Sequence, residues 1–150
     1  DLLEGDVLSL FVRPFEADQS GTLIPEMIEW ITAGGHTFND QTIQGWVNAD
    51  MAVTGLLAAG PQFDRAGVIA ATNAITAYDA GGVLSRIDWT KSHTAYTGES
   101  IVSDGPETYC SALVRVEDGA FTLLGDPAAP FYEYSWGSDW VEPVPSACGT

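Results

Sequence analysis

Residues 7–12, Val-Leu-Ser-Leu-Phe-Val, constrain the fold of this chain more than any other stretch. The run is short, apolar at nearly every position, rich in residues that favour strands, and stopped by Arg13-Pro14. A strand with one wet face alternates apolar and polar residues, whereas a continuous apolar run implies cover on both faces. The expectation is therefore a strand of a parallel sheet with helices on either side.

The residues that follow supply such helices. In TLIPEMIEWITAGG, Ile24, Met27, Ile28 and Ile31 recur at helical spacing. Pro25 and Glu26 suit a first turn, and Gly34-Gly35 a stop. The next helix is GWVNADMAVTGLLAAGP, residues 45–61, capped by Asn39 or Asp40. Trp46, Ala49, Ala52, Val53 and Leu56 mark one face, and the small residues Ala52, Gly55, Ala58 and Ala59 let another element approach closely. QFDRAGVIAATNAITAYDAGG reads as a third helix, capped by Asp64 and stopped by Gly81-Gly82, with Val68, Ala71, Ile75 and Tyr78 facing inward. The character then changes. VLSRIDWT is strand-like, and KSHTAYTGESIVSDGPET is a long polar connection. CSALVRVEDGAFTLL reads as a hairpin around Asp118-Gly119. The Pro-rich and aromatic-rich end, from Asp126, reads as irregular chain packed over something. The order implies an α/β fold, a mostly parallel sheet flanked by helices. With so few core strands that sheet is incomplete in this chain.

Charge narrows the function classes. Five Lys plus Arg stand against 21 Asp plus Glu, a formal net charge of −16. Nucleic-acid binding needs a basic footprint, which is missing, and anionic lipid surfaces would repel the chain. Self-repulsion favours a protein that stays soluble and unassociated. Cys110 and Cys148 are compatible with one disulfide, which would close a long loop, contribute roughly 3–4 kcal/mol and place the protein in an oxidising compartment. Two separate buried thiols are the alternative. Asp1 follows no initiator Met and no signal peptide and leads almost directly into the apolar run, so a processed product or a piece of a longer chain is expected.

Catalytic patterns are absent from the sequence. There is no G-x-S-x-G elbow and no phosphate-cradling glycine loop. His36 and His93 sit far apart in polar loops. DQSGT, residues 18–22, lacks the later ligands of a calcium loop, and a carboxylate pair such as Asp104 and Glu107 is unremarkable in so acidic a chain. No metal, no cofactor and no enzymatic activity are expected. Two places suit a small ligand. One is the exit of the first strand, where Phe15 and Glu16 stand just beyond its carboxyl end. The other is the aromatic tail FYEYSWGSDW, which reads more simply as a lid over the core.

Several stretches taken in order resemble one family. These are FVRPFE, the GW that opens a helix ending GLLAAGPQFDRAGVIAATNAI, then YDAGGVLSRIDWTKSH, then CSALVRVEDGAF. Together they are similar to the C-terminal part of type I periplasmic solute-binding proteins of ABC transporters, of the branched-chain amino-acid-binding kind. The resemblance implies two α/β lobes that close over a ligand. Residues 1–88 would then be a segment of the first lobe, and residues 89–150 the crossover, hairpin strands and tail of the second. It implies Phe15 and Glu16 as ligand-binding residues. The implied partners are a small polar solute such as an amino acid, a membrane permease and the remainder of a parent polypeptide. The implied location is periplasmic or extracellular, with a lipid anchor on a preceding N-terminus as one arrangement. A ligand-sensing ectodomain of the same fold is the alternative, and an extracellular hydrolase a more distant one.

Overall fold

A computed structural model describes residues 2–90, 108–135 and 148. In chain order they form β1 (Val7–Leu10), α1 (Ile24–Ala33), α2 (Asp40–Ala59), α3 (Arg65–Asn73), β2 (Thr108–Glu117), β3 (Ala120–Leu124) and β4 (Phe131–Ser135).

The sheet overturns the expectation of a mostly parallel one. β2 is its centre, and β1, β3 and β4 all pair with it antiparallel. β1 pairs from Val7↔Arg115 to Leu10↔Ala112. Its side chains alternate, with Val7 and Ser9 exposed and Leu8 and Leu10 half-buried. One face of β1 is therefore covered and the other is open, as in an ordinary antiparallel strand. An apolar run states how hydrophobic a strand is but carries no direction, and here the partner comes from a hairpin far along the chain. β3 pairs with the second half of β2, ending at Leu113↔Leu124. β4 resumes one residue further along, at Ala112↔Phe131, and runs to Thr108↔Ser135. The aromatic segment read as irregular thus begins with a strand.

The β2–β3 turn follows directly from sequence. Asp118 and Gly119 both take positive φ, 53° and 75°, the type I′ geometry whose twist matches the flanking strands. On the covered face Ala112, Val114 and Val116 are buried.

The helices build a separate and larger core. Ile24 and Met27 of α1 and Ile43 of α2 pack with Tyr78, Ala80 and Val83, and Phe38, Trp46, Val47 and Trp89 close around them. Burying a side chain of the size of Ile24 or Met27 contributes roughly 1.5–3 kcal/mol. α2 begins with a reciprocal capping box, in which the Asn39 side chain accepts from the Thr42 amide at 3.1 Å and the Thr42 hydroxyl accepts from the Asn39 amide at 2.9 Å. α3 crosses α2 at Gly55, where any Cβ would collide with the Thr72 hydroxyl and touch Val68.

α3 ends at Asn73, well short of Gly81-Gly82. The periodicity through Ile75 and Tyr78 is helical, but the backbone there is used otherwise. The Tyr78 amide donates to the Ile87 carbonyl at 2.9 Å, and the Ile87 amide donates back at 2.7 Å. This bridge, and a second between Val12 and Leu84, are what becomes of VLSRIDWT. Ala80, Gly81 and Gly82 all have positive φ and form a turn on which Leu23 rests, its amide donating to the Gly81 carbonyl at 2.8 Å. A side chain at Gly81 would strike Leu23. The sheet and the helical core meet through Val12 and Arg13, the latter's amide donating to the Val83 carbonyl at 2.7 Å.

The structure joins Cys110 of β2 to Cys148, with Cα atoms 5.8 Å apart. Among the described residues no helix is long and apolar enough to cross a membrane.

Candidate functional site

The chain leaves β1 at Leu10 and must reach α1 at Ile24, and it does so through a folded loop. Pro14 is buried and opens a tight turn, closed by the Ala17 amide donating to the Pro14 carbonyl at 3.1 Å. Ala17 is buried as well. The two residues between them, Phe15 and Glu16, are consequently pushed outward and exposed.

Two polar side chains hold this turn from behind. The Gln19 amide group donates to the Pro14 and Ala17 carbonyls at 2.8 and 3.0 Å. The Arg13 guanidinium donates through Nη1 to the Asp18 carbonyl at 2.8 Å and through Nε to the Gly82 carbonyl at 3.2 Å. Burial pushes the Arg13 pKa below its usual value, and the nearby Asp18 carboxylate works in the opposite direction. Asp18 accepts from the Ser20 amide at 2.9 Å, which holds its carboxyl below the ordinary carboxylate value. The Asp18 amide donates to the Pro127 carbonyl at 2.9 Å, anchoring the loop to the connection between β3 and β4.

Phe15 does not stand alone. Its ring meets that of Phe38 edge-on, with centroids 5.0 Å apart and planes at 63°. Phe38 immediately precedes the Asn39 cap of α2, so the loop after β1 and the start of α2 bring two phenyl rings together, with the exposed Glu16 next to Phe15 in the chain. Such a surface offers apolar contact, an aromatic face for a cation and an anionic partner for an ammonium group. Phe38 was not foreseen from the sequence. The signal available was an aromatic just ahead of a helix cap, and nothing in that pattern points across to residue 15.

The other residues singled out by sequence are distributed elsewhere. Phe131 and Tyr132 of the tail are buried as residues of β4, inside the sheet and not as a lid laid over it, and residues 136–140 lie outside the described residues. His36 is exposed, and His93, Asp104 and Glu107 lie outside the described residues. Among the described residues no group of three or more His, Cys, Asp or Glu side chains is placed to hold a metal ion. An open groove of about 480 Å³ lies at the far end of the sheet, lined by Leu2, Leu3, Val116, Gly119, Ala120 and Phe121. It has no polar side chain to orient a ligand, and Phe15 and Glu16 take no part in it.

No family model, no curated protein and no solved structure matches this chain.

Proposed function

We propose that this chain acts as the solute-binding component of an ABC importer, or as the C-terminal part of one, and that it helps to capture a small polar solute such as an amino acid. The observation that carries the reading is the clamped turn that exposes Phe15 and Glu16 at adjacent positions and sets the Phe15 ring against Phe38. The motif order described above points to the same two residues. The reading rests on these residues and not on the sheet, whose antiparallel pairing gives it no support.

In this reading Glu16 holds the solute's ammonium group, while the Phe15 and Phe38 rings cover its apolar part. The turn is fixed by Arg13 and Gln19, so little ordering is required when solute arrives. Transport proteins of this kind bind without chemical change and signal occupancy by closing, a shift in population between open and closed states. The disulfide is compatible with an oxidising compartment outside the cytoplasm.

The Phe15–Glu16 surface is open, so binding by this chain alone is weaker than micromolar and is best followed by NMR. Titration with a panel of free amino acids is expected to give saturable amide shifts at Phe15, Glu16 and Phe38. Phe15→Ala should weaken binding about tenfold, the equivalent of about 1.4 kcal/mol. Shifts confined to other parts of the chain, or none with any member of the panel, would refute the assignment.

A further inference from the structure

The stretch of chain that supplies the Phe15–Glu16–Phe38 surface is one-sided in charge. Residues 14–64 contain seven Asp or Glu and no Lys or Arg. Arg13, the basic residue that comes just before them, is engaged behind the turn. Its Nε donates to the Gly82 carbonyl at 3.2 Å and its Nη1 to the Asp18 carbonyl at 2.8 Å, and the Asp18 carboxylate lies close enough to act on its charge. The amino end of a helix ordinarily attracts an anion. The amino end of α2, however, carries its own carboxylate, Asp40, and its capping box engages the Asn39 and Thr42 amides. A solute carboxylate at this surface therefore meets no Lys or Arg from residues 14–64.

The rings suit positive charge. Phe15 meets Phe38 edge-on, with centroids 5.0 Å apart and planes at 63°, and remains 48% exposed. An edge-on contact covers one face of one ring, whereas stacking would cover a face of each. Ring faces carry the negative part of the aromatic quadrupole, so an uncovered face attracts a cation and repels an anion. Glu16, exposed and next to Phe15 in the chain, adds a full negative charge. The net charge of −16 concentrates small cations around the molecule and depletes anions. We infer that the solute taken at this surface is an amine without a carboxylate, positively charged overall, and not a zwitterionic amino acid; the inference rests on the proposal that Phe15, Glu16 and Phe38 form a solute site. Both kinds of solute present an ammonium group and an apolar part. In the zwitterion a carboxylate on the same carbon as the ammonium enters a field that repels it, and that repulsion offsets the ammonium's gain.

NMR titration of the full chain with three solutes that share one apolar part tests this. They are leucine, isopentylamine, which is leucine without its carboxylate, and isocaproate, which is leucine without its amine. Isopentylamine is expected to shift the Phe15, Glu16 and Phe38 amides and to bind about fivefold or more tighter than leucine, the effect of one unit charge at contact distance in water. Isocaproate should leave those amides unmoved. Raising NaCl from about 0.05 M to about 0.5 M should weaken the amine more than it weakens leucine, because only the amine carries net charge. Glu16→Gln should narrow the amine's lead over leucine. Glu16 is exposed and Gln keeps its shape, and circular dichroism checks that the variant is folded. Leucine binding as tightly as isopentylamine would overturn the inference while the solute site itself stands. So would isocaproate binding at these residues, or a lead over leucine that Glu16→Gln leaves unchanged. In the first two cases His36, exposed two residues before Phe38, becomes the group to answer a carboxylate. No shift at Phe15, Glu16 or Phe38 with any of the three would refute the solute site, and the inference with it.

Discussion

The Tyr78 hydroxyl donates to the Val47 carbonyl oxygen at 3.1 Å, tying the segment after α3 to the middle of α2. The ring packs against Trp89, with centroids 6.2 Å apart, and the residue is buried. Burial pushes the hydroxyl pKa far up, and the neighbouring Asp50 and Asp79 carboxylates push it in the same direction. An unfolded tyrosine ionises near 10, so above that pH the unfolded chain loses a proton that the folded chain keeps. The contribution of the neutral hydroxyl is complete below about pH 10 and is lost as pH rises beyond it. Tyr78→Phe should cost about 1 kcal/mol at neutral pH, the value of one hydrogen bond. It should also flatten the alkaline fall in stability, because phenylalanine has nothing to ionise. Urea unfolding followed by tryptophan fluorescence, at neutral pH and across the alkaline range, measures both effects. Parallel alkaline slopes in the two proteins would show that another group controls the fall.

α2 owes its sharp start to the Asn39–Thr42 capping box, and that start is what places Phe38 against Phe15. Asn39→Ala should cost about 1 kcal/mol and should speed amide exchange in the first turn of α2 before any other element. Unchanged exchange at Gln41–Ile43 would show that tertiary packing alone holds the turn. The sequence left this cap between Asn39 and Asp40 and read α2 from residue 45, five residues late, but α1, α2 and the β2–β3 hairpin were readable as elements because each is specified by residues close together: a helical apolar stripe, a capping side chain, an Asp-Gly pair. The misreadings occur where a distant partner decides. Ile75 and Tyr78 continue the spacing of α3, yet Ile87 takes the Tyr78 backbone and the helix stops at Asn73. Val7–Leu10 is apolar enough for a buried parallel strand, yet β2 pairs with it antiparallel from the other end of the chain. The candidate site divides in the same way. Phe15 and Glu16 were visible as residues just past a strand, whereas Phe38 joins them only through the packing of α2 beside the loop.

At the scale of the whole molecule, charge contributes little cohesion. Arg115 and Glu117 form an exposed ion pair at 3.5 Å, worth under about 1 kcal/mol, within a chain of 21 acidic and five basic residues. Cohesion comes instead from the helical core around Met27, from the covered face of the sheet around Val114, and from the Cys110–Cys148 link. Cys110 lies on the central strand, opposite Glu133 of β4, so the link fastens residue 148 to the strand on which the whole sheet depends. It spans 38 residues, and in the chain-entropy model a loop of that size contributes roughly 3–4 kcal/mol, a large share of the about 5–15 kcal/mol that holds an ordinary domain together. The effect acts mainly by restricting the unfolded chain, and that has a consequence for where the loss is felt. Cys148→Ser should lower the urea midpoint by an amount equivalent to roughly 3–4 kcal/mol. Amide exchange that depends on global unfolding should accelerate in α1 as much as in β4, although neither cysteine belongs to α1. Faster exchange limited to Phe131–Ser135 would instead make the link a local clasp on the sheet edge, and reactive thiols in the denatured, unreduced wild-type protein would rule the link out.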